Sequence, residues 1–493
     1  MALVSYAQRL TALAAADPDR TSITCGNVSL TRRMLDVEAE RLAYDLVERG
    51  VTPGRLVTIA LPNGLAWFVA FAACWKIGAI PQPVSARIPA RELEAIVEVA
   101  DPAVVIGVPP DALPGRSVLP VTHRPAGRPT AAPLPDVVSP AWKAPTSGGS
   151  TGRPKIIVSG DPSLLDTDAA PLLGMRPDGC LVMPGPLYHN GPLIWSWHAL
   201  LHGNHVAVLP RFDAEQTLAA IARYRADVVY LVPTMMKRIW RLPPEVRDGY
   251  DLSSLRVVWH LAEPCPEWLK QAWLDWLGPD RIYELYGGTE GQLSTVIRGD
   301  EWLAHRGSVG RPTSGQITIR DEDGAVLGPG AQGEVWLRSD RDTAPYHYLG
   351  AEARTRDGGW ESLGDMGWLD SDGYLYLGDR RSDMILTGGS NVYPAEVEAA
   401  LQEHPAVQSC AVVGLPDEDK GNAVHALVQA DPDVVTAADL AAFLADRLLP
   451  YKVPRTFEFV TGDLRDEAGK VRRSALREER LARRAGGPVH SAG

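Results

Sequence analysis

An α/β protein with a large N-terminal domain and a small C-terminal one is predicted by three observations. From Leu56 onward, short apolar strands alternate with helical segments, the pattern of doubly wound parallel sheet with helices on both faces. After about Gly315 the texture changes to short strands separated by turn residues, so a small β subdomain follows. The polar run Gly378-Asp379-Arg380-Arg381-Ser382-Asp383 then interrupts two apolar strands, and a compact α/β module fills the remainder. The expected division is 1–381 and 382–493, with a hinge near Ser382.

Taken in order, Leu56–Leu61 reads as a buried strand, Leu65–Lys76 as a helix and Ala79–Val84 as a short strand. Arg91–Ala100 is helical and Ala103–Ile106 is another strand. Prolines recur between Val108 and Pro145, which makes this stretch a surface connection with one strand at Val118–Val121. The alternation resumes with strands at Cys180–Met183, His205–Leu209, Val228–Leu231, Val257–Leu261 and Arg281–Leu285. Helices are expected at Pro192–Leu201, Ala214–Tyr224, Thr234–Arg241 and Pro266–Leu277. Gln316–Arg320 and Gly333–Ser339 read as a hairpin with Asp323-Gly324 as its turn. In the C-terminal module, helices are expected at Pro394–Gln402, Ala437–Leu448 and Ser474–Arg484. Strands are expected at Val407–Val413, Ala423–Val428 and Phe457–Val460.

Bulk properties remove several function classes. A chain of 493 residues exceeds one ordinary core. The net charge of −12 argues against nucleic acid as the main partner. The most apolar run, Leu65 to Trp75, is too short to span a bilayer and fits a core helix. Cys25, Cys74, Cys180, Cys265 and Cys410 stand singly without a CxxC pair, so neither a zinc ribbon nor a disulfide framework is indicated. With no signal-peptide pattern at the N-terminus, a reducing cytoplasm is the expected location.

The most informative stretch is Ser147-Gly148-Gly149-Ser150-Thr151-Gly152-Arg153-Pro154-Lys155. Glycines let successive backbone N–H groups converge, and hydroxyls add donors without bulk, which suits phosphate oxygens. The same residues contain G-x-S-x-G, the nucleophile-elbow pattern of a serine hydrolase centred on Ser150. An elbow needs a buried strand before it and a helix after it. Here Pro140 and Pro145 weaken the preceding strand, and Ile156-Ile157-Val158 reads as strand where helix is required. The phosphate loop is the better reading.

Four further clusters support it. Tyr286-Gly287-Gly288-Thr289-Glu290-Gly291 ends a predicted strand, where open α/β sheets bind ligands. It offers an aromatic face, a glycine turn, a hydroxyl and a carboxylate able to hold Mg²⁺. Gly364-Asp365 and Asp379-Arg380 add a carboxylate for ribose hydroxyls and a guanidinium for ribose or phosphate. Gly469-Lys470 lies on a polar loop between a strand and a helix. A lone Asp or Lys in a loop is usually a solvated surface group, so the argument rests on their order and combination.

In that order and spacing the chain resembles, over essentially its whole length, the adenylate-forming superfamily of acyl-CoA synthetases, adenylation domains and beetle luciferases. Ser147–Lys155 matches its phosphate loop, Tyr286–Glu290 its Tyr-Gly-x-Thr-Glu motif and Asp365 its ribose aspartate. Asp379 through Glu398, including Gly388-Gly389 and Pro394-x-Glu396, matches the hinge and the segment after it. Lys470 falls on the catalytic lysine.

The resemblance implies two half-reactions. ATP and a carboxylic acid give an acyl-adenylate and pyrophosphate, then the thiol of coenzyme A displaces AMP. It further implies that Lys470 bridges carboxylate and α-phosphate, that Glu290 holds Mg²⁺ with help from Thr151, and that Thr289 touches the α-phosphate. Tyr286 would lie against adenine, Asp365 and Arg380 would fix the ribose, and Glu263 would belong to the adenine side. The small domain would be mobile, carrying Lys470 away after adenylation and bringing Gly388 and Gly389 to the coenzyme A tunnel. The hinge residue is Ser382 where relatives often carry Asp or Lys, and the loop before Lys470 is unusually acidic.

Pro186-Leu187-Tyr188-His189-Asn190-Gly191-Pro192 is similar to the family's acyl-site motif, which places His189 and Asn190 at the acyl channel. Trp195, Trp259 and His260 are candidates for its wall, against the plainer reading of the tryptophans as core packing. This wording resembles synthetases for bulky acids such as the bile acid–CoA ligases. A carrier-protein pantetheine is the alternative acceptor to coenzyme A.

Overall fold

The structure, a computed structural model, describes residues 2–125, 134, 137–148, 154–380, 383–387, 390–417, 420–466 and 469–484. Two sheets of the large lobe carry the predicted alternation. In the first, Ile80–Pro83, Leu56–Ile59, Val104–Ile106 and Val118–Leu119 pair in parallel. In the second, strands run in parallel from Thr21–Cys25 through His205–Val208, Cys180–Met183, Val228–Leu231 and Val257–Leu261 to Ile282–Gly287. Beyond Ile282–Gly287 the sheet turns antiparallel through Ser294–Arg298 and Ser308–Pro312, and runs on into the β subdomain.

Between the sheets the apolar run becomes the helix Leu65–Lys76, with Trp67, Phe68, Phe71 and Trp75 buried. Trp67 stacks on Phe71 at 4.1 Å, and Trp75 meets Trp197 of the helix Asn190–Leu201 edge-on at 4.4 Å. Such aromatic pairs add to the gain from burial itself. Among the described residues no helix is long and apolar enough to cross a membrane.

Two departures from the sequence reading have physical causes. Helices Tyr6–Ala16 and Arg32–Glu48, not read from the sequence, start at caps: Ser5 and Gln8 form a reciprocal capping box, and Thr31 accepts from Met34 N. The Asp323-Gly324 turn forms, with Gly324 at φ +89°, but it does not join the two strands directly. Gln316–Arg320 pairs with Gly333–Arg338 so that Arg320 faces Glu334, leaving residues 321–332 as the connection. Pro329, which lacks an N–H, and its flanking glycines lie within that connection.

The small lobe has its own core of Ile385, Val397, Leu401, Val412, Val424, Val428, Leu440 and Leu444. Ser409–Asp417 and Gly421–Gln429 form an antiparallel pair, and Thr456–Phe459 adds in parallel. Direct contacts tie the lobes together: Arg241 Nη2 donates to Val407 O at 2.7 Å, and Arg472 lies 3.5 Å from Glu92. Ser382 lies outside the described residues.

Candidate active site

The two ends of the glycine-rich stretch lie on antiparallel strands. Thr146–Gly148 pairs with Pro154–Ser159, with Ser147 opposite Lys155 and Gly148 opposite Pro154. The stretch between them, with Gly149, Ser150, Thr151 and Gly152, lies outside the described residues, as do Gly388 and Gly389. A strand, Pro154–Ser159, follows the loop where a nucleophile elbow needs helix.

Tyr346–Leu349 pairs with the other edge of Pro154–Ser159 and aligns Tyr348 with Ile157. There Lys155 Nζ reaches Glu290 Oε1 at 3.1 Å and the Tyr348 hydroxyl at 3.0 Å, and that hydroxyl donates to Glu290 Oε1 at 2.6 Å. Burial pushes the Glu290 carboxyl up, but the Tyr348 hydroxyl and the Lys155 ammonium outweigh it and hold it below its usual value. A buried, ionised carboxylate beside a phosphate-type loop is an oxygen donor suited to a hard cation. Gly288 gives this turn its shape, since a β-carbon there would stand 2.5 Å from Leu363 and 2.9 Å from Glu290 Oε2.

Tyr286 sits in the strand Ile282–Gly287 and donates its hydroxyl to Asp365 Oδ2 at 2.7 Å. Asp365 lies directly opposite Arg380 in the register of the neighbouring antiparallel strand. Thr289 is half-buried in the same turn.

Helix Asn190–Leu201 begins beyond His189, whose Nε2 is sealed from solvent with no hydrogen-bond partner among the described residues. Burial, then the nearby charges of Lys470 and Arg472, lower its pKa to about 3, so the imidazole stays neutral at physiological pH. Asn190 Oδ1 contacts the Lys143 ammonium. Lys143 is buried, and that burial lowers its pKa to about 7 against the pull of Asp161 and Glu290. Trp195 of this helix meets Tyr230 at 5.3 Å and Trp259 at 5.6 Å, a cluster of three rings buried in the main core.

His260 was expected with Trp195 and Trp259 on the acyl-channel wall, but strand alternation turns it to the face opposite Trp259. It sits 3.8 Å from Glu284, which pairs with Lys270 at 2.6 Å, and burial followed by the Lys270 charge pushes its pKa well down.

The small lobe meets this cleft with one turn. Gly469 N donates to Asp466 O, Lys470 N to Asp466 Oδ1, and Asp466 N to Lys470 O, each at 2.9–3.0 Å. Arg465 Nη1 holds Gly469 O at 2.9 Å. The turn packs on Glu263, whose Oε2 accepts from Thr234 N at 3.2 Å and Thr234 Oγ1 at 2.8 Å. Burial raises the Glu263 pKa to about 7, opposed by the Arg465 charge and the Thr234 hydrogen bonds.

Lys143, Tyr348 and Arg465 were not singled out from sequence as site residues. The lysine left a signal, a lone charge within Ala141-Trp142-Lys143-Ala144; Tyr348 and Arg465 gain meaning only through distant pairings.

Two α/β lobes, with the Lys470-bearing turn of the small one packed on Glu263 of the large one, set out the architecture of a two-lobed enzyme. More particularly, the chain belongs to the AMP-binding enzyme family: that family's model matches residues 10–347, and the AMP-binding enzyme C-terminal domain matches 396–470. It is 32% identical over 481 residues to a feruloyl-CoA synthase of Amycolatopsis, covering 92% of this chain and 96% of the relative. It is 30% identical over 475 residues to the 2-succinylbenzoate–CoA ligase of Bacillus cereus, covering 94% and 96%. Its fold matches the o-succinylbenzoate CoA synthetase of Bacillus subtilis in complex with the acyl-adenylate intermediate OSB-AMP. The TM-score is 0.81, with 24% identity and coverage of 97% and 98% of the two chains.

Proposed function

We propose that this enzyme is an AMP-forming acid–thiol ligase that converts a carboxylic acid, ATP and coenzyme A into an acyl-CoA, AMP and pyrophosphate. The observation that carries the reading is the meeting of the Lys470 turn with His189 and Glu263 across the two lobes. In the first step a carboxylate oxygen attacks the α-phosphorus and pyrophosphate leaves. Two anions must approach, and Lys470 offsets their charge at the reacting centre. His189, kept neutral, lines the acyl channel and donates or accepts a hydrogen bond without adding charge. Tyr286 lies against adenine, Thr289 touches the α-phosphate, and Asp365 with Arg380 holds the ribose.

Mg²⁺, held by Glu290 with Thr151, supplies further charge neutralisation on the phosphates when bound. In the second step the coenzyme A thiol attacks the acyl carbon and AMP leaves. The small lobe is mobile about a hinge near Ser382, withdrawing Lys470 and presenting Gly388 and Gly389 to the pantetheine arm.

The relatives named for acids with a benzene ring support aryl acids as the class to test first, with the bulkier polycyclic acids beside them. A panel of aryl, polycyclic and long-chain acids is assayed for acid-dependent pyrophosphate release and for acyl-CoA by mass. Release with at least one acid, followed by acyl-CoA, is expected. Nucleotide binding without release for any acid contradicts the reading, and release without acyl-CoA moves the acceptor to a carrier-protein pantetheine. Placement in the cytoplasm completes the proposal.

A further inference from the structure

We propose that Glu263 is a positioning residue for adenylation, forming the seat into which Gly469 docks and so setting how far Lys470 enters the cleft. This rests on the ligase reading above.

Several constraints converge on the pair. Ala262, immediately before Glu263, adopts φ +73°, a left-handed conformation that a residue with a β-carbon enters only at a cost. Thr234 fixes Glu263 Oε2 through its backbone N–H and its hydroxyl. Oε1 is sealed from solvent, has no hydrogen-bond partner among the described residues, and faces Gly469. A β-carbon on Gly469 would overlap Oε1 and stand within van der Waals distance of Oε2 at 3.1 Å. Gly469 is also at φ +79°, so both its backbone and its neighbour demand glycine.

The turn that carries Gly469 moves as a unit, because Asp466 accepts from Gly469 and Lys470, and Arg465 grips the Gly469 carbonyl. Arg465 attracts the Glu263 carboxylate and Asp466 repels it, so the turn presents a charge pattern to its seat as well as a shape. Anything that lifts Gly469 lifts Lys470, its neighbour in the chain. A displacement of about 1 Å at a group poised for reaction costs about 100-fold in rate.

The test measures the two half-reactions separately on the full chain: acid-dependent pyrophosphate release, and thiolation of a supplied acyl-adenylate. Gly469→Ala should slow pyrophosphate release about 100-fold and leave thiolation unchanged. Adding Glu263→Ala should make room for the new methyl and restore about tenfold of the loss; recovery stays incomplete because alanine keeps the left-handed strain. Gly469→Ala with Glu263→Asp repeats the test with a retracted carboxylate that still faces Thr234. If both double variants thiolate normally yet release pyrophosphate as slowly as Gly469→Ala, the seat is overturned. It is equally overturned if Gly469→Ala alone releases pyrophosphate at the native rate. The unaltered enzyme and Lys470→Ala, run alongside, separate the two claims: no acid-dependent pyrophosphate release from the unaltered enzyme sinks the ligase reading, whereas its loss in Lys470→Ala beside unrescued double variants sinks only the seat.

Discussion

The nucleotide-facing surface of the large lobe and the lysine turn of the small lobe are held in opposite ways. On the large lobe, Tyr286 is fixed by Asp365, and Glu290 by Lys155 and Tyr348, partners brought from strands far apart in the chain. The Lys470 turn is stitched by its own neighbours, Arg465 and Asp466, and leans on the large lobe through Glu263 and a few further contacts. One surface is built from partners distant in the chain; the other is braced within its own lobe, as the proposed movement of that lobe requires. Damage to the first should therefore burden both half-reactions, and damage to the second only one.

The largest expected effect lies on the mobile side. Lys470→Ala should slow pyrophosphate release by about 100-fold to 1,000-fold, the cost of removing a donor aimed at developing charge, with ATP affinity by calorimetry nearly unchanged. An equal loss of ATP affinity would erase the distinction between the two surfaces. Next, Asp365→Ala removes the partner of Tyr286 and the carboxylate proposed for the ribose together. A loss of about 1.5–3 kcal/mol in ATP binding is expected, visible in both half-reactions.

Smaller still, Tyr348→Phe deletes one donor to Glu290 while Lys155 remains. Binding of Mn²⁺ with ATP, followed by electron paramagnetic resonance, should weaken by about 1 kcal/mol. The least effect concerns Glu263, whose pKa burial raises from 4.5 to about 7. The native state then keeps a proton that the unfolded chain releases. The resulting stability is present in full below the unfolded value and is lost as pH rises through about 7. Glu263→Gln should flatten the fall in Tm between pH 5 and 8, and an unchanged slope would contradict this placement.

What the sequence made legible follows the same division. Motif residues that act within one turn, such as Tyr286 to Glu290, could be read directly, because glycine spacing and strand ends are local signals. Asp365 and Arg380 were expected together at the ribose, and antiparallel register sets them opposite each other. Tyr348 could not be read, since its role comes from pairing with Pro154–Ser159 nearly two hundred residues earlier. Trp259 and His260 were both candidates for the pocket wall although they point to opposite faces, because apolar, two-sided strands such as Val257–Leu261 carry no alternation to show which way a residue points.

The central claim is that one lobe–lobe arrangement serves adenylation and must be abandoned for thiolation. It is tested most directly by joining the lobes where they touch, with cysteines in place of Glu92 and Arg472 bridged by a short thiol crosslinker. Arg472 lies 3.5 Å from Glu92 across that junction. The bridged enzyme should release one equivalent of pyrophosphate, hold its acyl-adenylate and make no acyl-CoA until the link is cut. Bridged enzyme that turns over acyl-CoA at the unbridged rate would contradict the account.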